Sequence, residues 1–211
     1  MITHIIWDYN GTVVDDVDAS VAAVNDMLNK RNLPLTTKEQ YIETVALPLD
    51  NYYKGLGISE EDMAAISTEF QTFCKNHSNL IHIFDDFFVV MQELKKFDIK
   101  NILMSSLYKD FLLEDMKKFN LSKYFDDVIG MNDKLVGSKL ENAKNYIAKN
   151  HLKAENVLFI GDLVSDAKIA KTLNANCILI PNGHNSKTRC LSEEVTVFDD
   201  LKCIIGYLQK S

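Results

Sequence analysis

Acidic side chains end two apolar runs of this sequence and could together hold a divalent cation. Ile5-Ile6-Trp7 has the pattern of a short buried strand that ends at Asp8. The apolar run 157–160 ends at Gly161-Asp162, and Asp166 follows four positions later. Carboxylates without a basic neighbour between them suit a hard cation such as Mg²⁺, and a carboxylate such as Asp8 could also attack phosphorus. The alternative is that Asp162 or Ser165 only caps the helix that follows.

The turn after Asp8 has the residue types of an anion-binding loop. Gly11 permits a strained backbone, and we expect it to leave its N–H uncovered. Backbone N–H groups after Asp8, together with the Thr12 hydroxyl, could then surround phosphate oxygens. The alternative is that Asp8 and Asn10 are only turn residues, because Asn-Gly is a common turn signal.

Three further polar residues follow apolar segments. Ser105 and Ser106 come directly after Ile102-Leu103-Met104, and their hydroxyls could hold phosphoryl oxygens. Lys139 opens a helical pattern after the weak strand Val128-Ile129 and could offset the charge between Asp8 and a phosphate. Each has a plainer interpretation, since a serine at a strand end often bonds to the backbone and most lysines are solvated.

The elements that must position these residues alternate along the chain. Apolar runs alternate with helical patterns from about residue 87 onward, which indicates an α/β fold with a parallel sheet covered on both faces. Ligands bind beyond the carboxyl ends of such strands. We therefore expect Asp8, Ser105 and Asp162 to lie near one another.

Residues 16–82 differ from the rest of the chain. They contain several helix-like segments, punctuated by Pro and Gly, and no convincing strand. Asp15 is a candidate N-cap for the first of these helices. A length of 211 residues fits a core domain with an insertion. The expected division is an α/β core at residues 1–15 and 83–211 and an all-helical cap at residues 16–82.

Composition restricts the possible partners. The net charge is −7 and no Lys/Arg block stands out, which argues against nucleic-acid binding. The four cysteines contain no CxxC pair, so neither a zinc cluster nor a disulfide framework is indicated. No apolar run is long enough to cross a bilayer, and the first residues lack a signal-peptide pattern. We expect a cytoplasmic protein without a membrane partner, as a monomer or homodimer.

Taken together, these motifs resemble the haloacid dehalogenase superfamily of aspartate-nucleophile phosphatases. That pattern is a strand followed by Asp-x-Asp-Gly-Thr, a strand ending in Ser or Thr, a Lys, and a strand followed by Gly-Asp-x-x-x-Asp. This sequence has the run from Asp8 to Asp15, then Ser105, Lys139 and the run from Gly161 to Asp166. The resemblance covers essentially the whole chain and implies a Rossmann-like, doubly wound parallel sheet. It is greatest to the phosphoglycolate-phosphatase-like branch, which has a small helical cap.

The resemblance also implies roles and a substrate. Asp8 would be nucleophile and Mg²⁺ ligand, and Asp162, Asp166 and the backbone carbonyl of Asn10 would complete the metal site. Five residues would hold the phosphoryl group of a small phosphorylated substrate: Gly11, Thr12, Ser105, Ser106 and Lys139.

Asn10 departs from the family pattern. Phosphatases of the family place a second Asp there as general acid and base, and an amide can do neither. Four explanations stay open: another side chain supplies the acid, the chemistry differs, the Asn is an engineered change, or deamidation restores a carboxylate. Altered chemistry includes a Schiff base on a cap lysine such as Lys54, as in phosphonoacetaldehyde hydrolases. A weakly active or inactive relative that acts as a binding protein is a further alternative.

Overall fold

Six parallel strands form the central sheet in the computed structural model, which describes residues 1–131 and 138–210. Gly137, part of the predicted lysine motif, lies outside the described residues. In chain order the strands are β1 (His4–Asp8), β2 (Val14–Asp15), β3 (His82–Ile83), β4 (Lys100–Tyr108), β5 (Asp127–Met131), β6 (Val157–Gly161), β7 (Asn176–Leu179) and β8 (Thr196–Val197). The sheet order is β5-β4-β1-β6-β7-β8, and β2 and β3 form a separate antiparallel pair.

Helices connect these strands and cover both faces of the sheet. They are α1 (Val17–Lys30), α2 (Lys38–Thr44), α3 (Leu49–Gly55), α4 (Met63–Asn76), α5 (Asp85–Leu94), α6 (Lys109–Lys118), α7 (Lys139–Lys149), α8 (Val164–Leu173), α9 (Lys187–Leu191) and α10 (Cys203–Leu208). Within the described residues, no helix combines the length and the apolar character needed to span a bilayer.

Strand alternation divides the core into two layers. Ile5 and Trp7 of β1 pack on one face with residues of α5, α6 and α10, whereas Ile6 packs on the other face with residues of α7, α8 and α9. Successive side chains of a strand point to opposite faces, so a strand that is buried on both faces must be apolar throughout. This confirms the predicted α/β class with a doubly wound parallel sheet.

Helices α1 to α4 pack on one another around a third apolar cluster, which includes Met27, Tyr41 and Ile66. They lie between β2 and β3, whose antiparallel pairing brings Asp15 opposite His82. This arrangement supports the division into a core and a helical cap, and the boundaries at residues 15/16 and 82/83 stay a prediction.

The register of the central strands sets the location of the site. Trp7 of β1 lies beside Ile160 of β6, and Asp8 lies beside Met104 of β4. The chain therefore leaves β1 and β6 at the same level of the sheet. The direction of winding reverses between these two strands, and ligands of open α/β sheets bind at that point.

Three local predictions are wrong. Asp15 is not an N-cap but part of β2, and its neighbour Asp16 precedes α1 without capping it through its side chain. The strand that was expected to end at Ser105 continues to Tyr108, with an irregular register after Met104. The segment 16–82 is not free of strand, since His82 belongs to β3. Tertiary pairing decided each case, and local pattern does not show it.

Candidate active site

Three carboxylates meet at the carboxyl ends of β1 and β6. Asp8 ends β1, Asp162 follows β6, and Asp166 lies in the first turn of α8. One oxygen of each lies within 4.8 Å of the others, and all three side chains are buried. A chain separation of more than 150 residues thus ends in a cluster with the dimensions of a cation site.

Lys139 lies between two members of this cluster. It is the first residue of α7, which Ser138 caps by accepting from the backbone N–H of Glu141 at 3.2 Å. The Lys139 ammonium donates to Asp8 Oδ1, and to Asp166 Oδ1 at 2.6 Å. One ammonium against three carboxylates leaves an excess of negative charge, which a divalent cation would offset.

Burial shifts the ionisation of the cluster. The pKa of Asp8 is raised well above its usual value, first by burial and then by Asp166 and Asp162, although Lys139 opposes the shift. Burial, with Asp166, also raises the pKa of Asp162 to about 6. The pKa of Lys139 is raised because Asp166 and Asp8 outweigh the effect of burial, which keeps the ammonium charged.

Two glycines allow the chain to close around Asp162. Gly11 has a φ of +73°, and a Cβ at Gly11 or at Gly183 would overlap the Asp162 carboxylate. The Thr12 hydroxyl donates to Asp162 Oδ1 at 3.2 Å, and the His184 backbone N–H donates to Oδ2. These contacts fix the orientation of the buried Asp162 carboxylate, and a metal ligand would need such a fixed orientation.

The turn after Asp8 uses donors that were expected to be free. The Gly11 N–H donates to the Val14 carbonyl at 2.8 Å and to Asp16 Oδ1 at 3.0 Å. The prediction that Gly11 presents an uncovered N–H is therefore wrong, because the turn closes on that donor. Thr12, expected to contact phosphate, has its hydroxyl on Asp162 and is almost fully buried.

The two serines after the apolar part of β4 differ in exposure. Ser105 is buried, and its oxygen accepts from the Leu107 N–H at 3.0 Å, which leaves its O–H as a donor. Ser106 is exposed and lines a cavity between the cap and the core. Their roles in phosphate binding stay predictions.

Asn10 is used within a polar network that the sequence did not indicate. Its side-chain amide donates to Asp16 Oδ2 at 2.9 Å, and the other oxygen of Asp16 contacts His184 Nε2 at 3.1 Å. Both Asp16 and His184 are buried. Two adjacent acids, Asp15 and Asp16, were the only available signal for this network, and no pattern pointed to His184.

Contacts within this network shift the pKa values of His184 and Asp16 in opposite directions. Burial lowers the pKa of His184, but Asp16 outweighs burial and raises it to about 9. Burial raises the pKa of Asp16, and His184 with Asn10 outweighs it, so the pKa is lowered overall. At neutral pH the pair is therefore an imidazolium and a carboxylate.

The loop after β7 joins this network to the cap. The Tyr41 hydroxyl contacts His184 Nδ1 at 2.9 Å, and the Asn185 amide donates to the Val45 carbonyl at 3.2 Å. Arg189 Nη1 donates to the carbonyls of Ile42 and Val45 at 2.9 and 2.7 Å. Residues of α2 and its C-terminal end are thus held against the core.

We expect the stability of the protein in EDTA to fall as the pH rises through about 9. The His184 pKa is raised above its unfolded value of about 6.5, so its stabilising contribution is complete below that value and is lost as pH passes its folded pKa. Thermal melting between pH 6 and 10 should show His184→Gln melting lower at pH 6.5, with the gap closing at high pH. The exposed His82→Gln is the control. A gap that is independent of pH would contradict the ion pair.

Lys54, the candidate for a Schiff base, is not among the described residues that line the cavity. Its ammonium pairs with Glu60 at 2.6 Å on the surface, and this contact raises its pKa. A Schiff-base lysine must be neutral and close to the substrate. The geometry therefore does not favour that alternative.

Comparison with known proteins matches the geometry. The family model described as haloacid dehalogenase-like hydrolase matches residues 5–180. Phosphoglycolate phosphatase 1 of Pseudomonas aeruginosa is 24% identical, covering 95% of this chain and 78% of its own length. The phosphoglycolate phosphatase of Photorhabdus laumondii is 24% identical over 97% of this chain and 93% of its own length.

Solved structures agree on the fold. A haloacid dehalogenase-like family hydrolase from Streptococcus pneumoniae superposes with a TM-score of 0.87 at 16% identity, covering 99% of both chains. A predicted phosphatase from Clostridium acetobutylicum also gives 0.87, at 17% identity over 100% of both. The family model spans well over half of the chain. The protein therefore belongs to the haloacid dehalogenase-like hydrolase family.

Proposed function

We propose that this hydrolase is a Mg²⁺-dependent phosphatase that transfers the phosphoryl group of a small substrate to Asp8. The observation that carries the proposal is the cluster of Asp8, Asp162 and Asp166, with Lys139 bonded to two of them. The phosphatase names of its curated relatives support the same reaction class.

The donor set fits Mg²⁺. All three side chains offer carboxylate oxygens, which a small hard cation prefers together with water and phosphate oxygens. The Asn10 backbone carbonyl is the proposed fourth protein ligand. When bound, the ion would offset the negative charge of the phosphoryl oxygens and of the surrounding carboxylates.

The chain itself would provide the nucleophile and its orientation. Asp8 attacks phosphorus, the P–O bond to the leaving group breaks, and water then hydrolyses the aspartyl-phosphate. Lys139 holds Asp8 in place and adds positive charge near the transferred group. Ser105 and Ser106 are the proposed hydroxyl donors to the phosphoryl oxygens.

The leaving group receives little help from Asn10. An amide cannot give up a proton as an acid, and here its N–H is already bonded to Asp16. General acid–base catalysis contributes about 10²–10⁴-fold. The proposal therefore includes slow turnover of ordinary alkyl phosphates. A relative that binds a phosphometabolite without turnover is the second candidate, favoured by the same contact.

A phosphatase panel with and without Mg²⁺ tests the proposal. Acyl, aryl and alkyl phosphates are offered in excess Mg²⁺, in EDTA, and after Mg²⁺ is restored. The proposal predicts hydrolysis only when Mg²⁺ is present, with acyl phosphates fastest. Turnover that EDTA does not change would refute the proposed dependence on Mg²⁺. Saturable binding of phosphate esters without any hydrolysis would favour the second candidate.

Mg²⁺ should raise the melting temperature, and Asp162→Asn should remove that effect. A ligand at about 100 times its Kd stabilises by about 2.7 kcal/mol, or roughly 5–10 °C for a chain of this size.

Because the Asp162 pKa is raised to about 6, its ionised form destabilises the metal-free fold above that pH. In EDTA at pH 8 the variant should melt no lower than the unchanged protein. Exposed Asp98→Asn is the control, and a full Mg²⁺ shift in Asp162→Asn would refute the ligand assignment.

A further inference from the structure

A large cavity extends from the catalytic end of the sheet into the space between cap and core. Its volume is about 580 Å³, within the range of about 300–1,000 Å³ that is typical of drug-sized ligands. Asn10, Asp16 and Ser106 are among the residues that line it, so the cavity reaches the turn after the proposed nucleophile. A substrate with its phosphoryl group at Asp8 would extend its leaving group past Asn10 toward this space.

Apolar side chains, two of them phenylalanines, contribute a part of the cavity wall from both the cap and the core. Met63, Ile66 and Phe70 line it from α4, and their spacing of three and four places them on one stripe of that helix. Leu107 and Phe111 line it from the core side. Apolar side chains from α4 of the cap and from β4 and α6 of the core thus line one cavity.

The charges around the cavity do not suit a second anionic group. Three further carboxylates line it, from Asp50, Glu114 and Asp115, against the lysines Lys75 and Lys118. The Lys75 ammonium lies 5.1 Å from the centre of the Phe111 ring, and Lys118 lies 4.9 Å from that of Phe119. The lining thus carries more carboxylates than ammonium groups, which would cost affinity for a leaving group that has its own carboxylate.

The catalytic end independently favours a stabilised leaving group. The Asn10 amide cannot protonate a departing alkoxide, and its N–H is bonded to Asp16 at 2.9 Å. An aryl oxide spreads its charge into the ring and departs without a general acid. The apolar part of the cavity lining and the chemistry of residue 10 are therefore both compatible with an aryl leaving group.

Building on the proposed phosphatase function, we propose that the substrate is a phosphate monoester of an aromatic alcohol, with its uncharged ring in the cavity that Phe70 and Phe111 line. An Asp8 oxygen forms a bond to phosphorus while the P–O bond to the ring oxygen breaks. The aryl oxide leaves with the electron pair and takes its proton from water. A second water then cleaves the aspartyl-phosphate, which releases phosphate and restores Asp8.

Four simple esters separate the contribution of the aromatic ring from that of the leaving group. Benzyl against ethyl phosphate varies the ring while both leave as alkoxides, and phenyl against benzyl phosphate varies the leaving group while the ring stays. With Mg²⁺ at pH 7.5 we expect kcat/KM for benzyl phosphate to exceed that for ethyl phosphate by about tenfold or more. Phenyl phosphate should exceed benzyl phosphate by about 100-fold. 2-Phosphoglycolate should be no better than ethyl phosphate.

Two cavity variants and one control locate the effect. Phe70→Ala and Phe111→Ala should each bring the benzyl-to-ethyl ratio toward one. Phe73 lies on α4 with Phe70 and packs in the cap cluster, but it is not among the described residues that line the cavity. Phe73→Ala should therefore keep the benzyl-to-ethyl ratio of the unchanged protein. Equal loss of the ratio in all three variants would overturn the assignment to the cavity.

Acetyl phosphate, a small substrate with a good leaving group, distinguishes the two levels of the proposal. If it is hydrolysed but benzyl and ethyl phosphate react equally, or phosphoglycolate is preferred, the aromatic assignment fails and the phosphatase proposal stands. If neither acetyl phosphate nor any of the four esters is hydrolysed, the phosphatase proposal fails and the aromatic assignment falls with it.

Discussion

Replacing Asp8 with Asn is expected to lower turnover by at least about 10⁴-fold, as removal of a covalent nucleophile does in other enzymes. The amide has nearly the shape of the carboxylate but cannot attack phosphorus. The fold should persist, because the substitution removes a charge that burial disfavours most, followed by Asp166 and Asp162. Lys139 keeps its bond to Asp166. The measurement is steady-state hydrolysis of acetyl and phenyl phosphate in Mg²⁺.

Acid quenching and mass spectrometry give a second readout for Asp8. During turnover the unchanged protein should carry one phosphoryl group on the peptide that contains Asp8, and Asp8→Asn should carry none. Exposed Asp98→Asn is the matched control and should retain both activity and label. Label on another residue, or substantial turnover in Asp8→Asn, would end the nucleophile assignment.

Exchanging the carboxylate and the amide at positions 10 and 16 should raise hydrolysis of alkyl phosphates by about 100-fold. Asp16 Oδ1 accepts from the Gly11 N–H and contacts His184 Nε2, whereas Oδ2 accepts from Asn10. In the double variant Asn10→Asp/Asp16→Asn, the amide oxygen can keep the first two contacts and its N–H₂ can donate to the new carboxylate. The chain would then have an acid where its family places one.

The single variants show why the pair must be changed together. Asn10→Asp alone sets two carboxylates at a separation of about 2.9 Å, which raises the pKa of one of them and lowers stability. Asp16→Asn alone either sets the amide N–H₂ groups of residues 10 and 16 against each other or, with the amide turned over, sets its N–H₂ against His184. We expect each single variant to melt lower than the double variant and to gain little activity. An Asn10→Asp protein as active and as stable as the double variant would refute this coupling.

The substrate consequence of the exchange is equally specific. A restored general acid helps poor leaving groups most, so the double variant should reduce the advantage of phenyl over benzyl phosphate. The advantage of benzyl over ethyl phosphate depends on the cavity and should remain. Loss of both advantages together would mean that the exchange had disturbed the cavity rather than the chemistry at position 10.

The sequence alone determined the parts of this protein that depend on local pattern. Strands buried on both faces must be continuously apolar, so Ile5-Ile6-Trp7 and the run before Asp162 were recognisable, and so was the parallel sheet. Carboxyl ends of neighbouring parallel strands share one edge, and that rule predicted that Asp8 and Asp162 would lie close together. The structure places them so, with Asp166 beside them.

Only the tertiary structure decided how the polar groups are paired and what space adjoins them. His184 is 168 residues from Asp16, and no local pattern links a loop after β7 to a turn after β1. The Gly11 N–H found its acceptors inside its own turn, which depends on backbone angles that residue types leave open. The cavity is lined by α1, α3 and α4 of the cap and by β4 and α6 of the core, which come together only when the cap packs on the core. Hydrogen bonds and packing join atoms by distance in space, whereas sequence pattern reports only spacing along the chain.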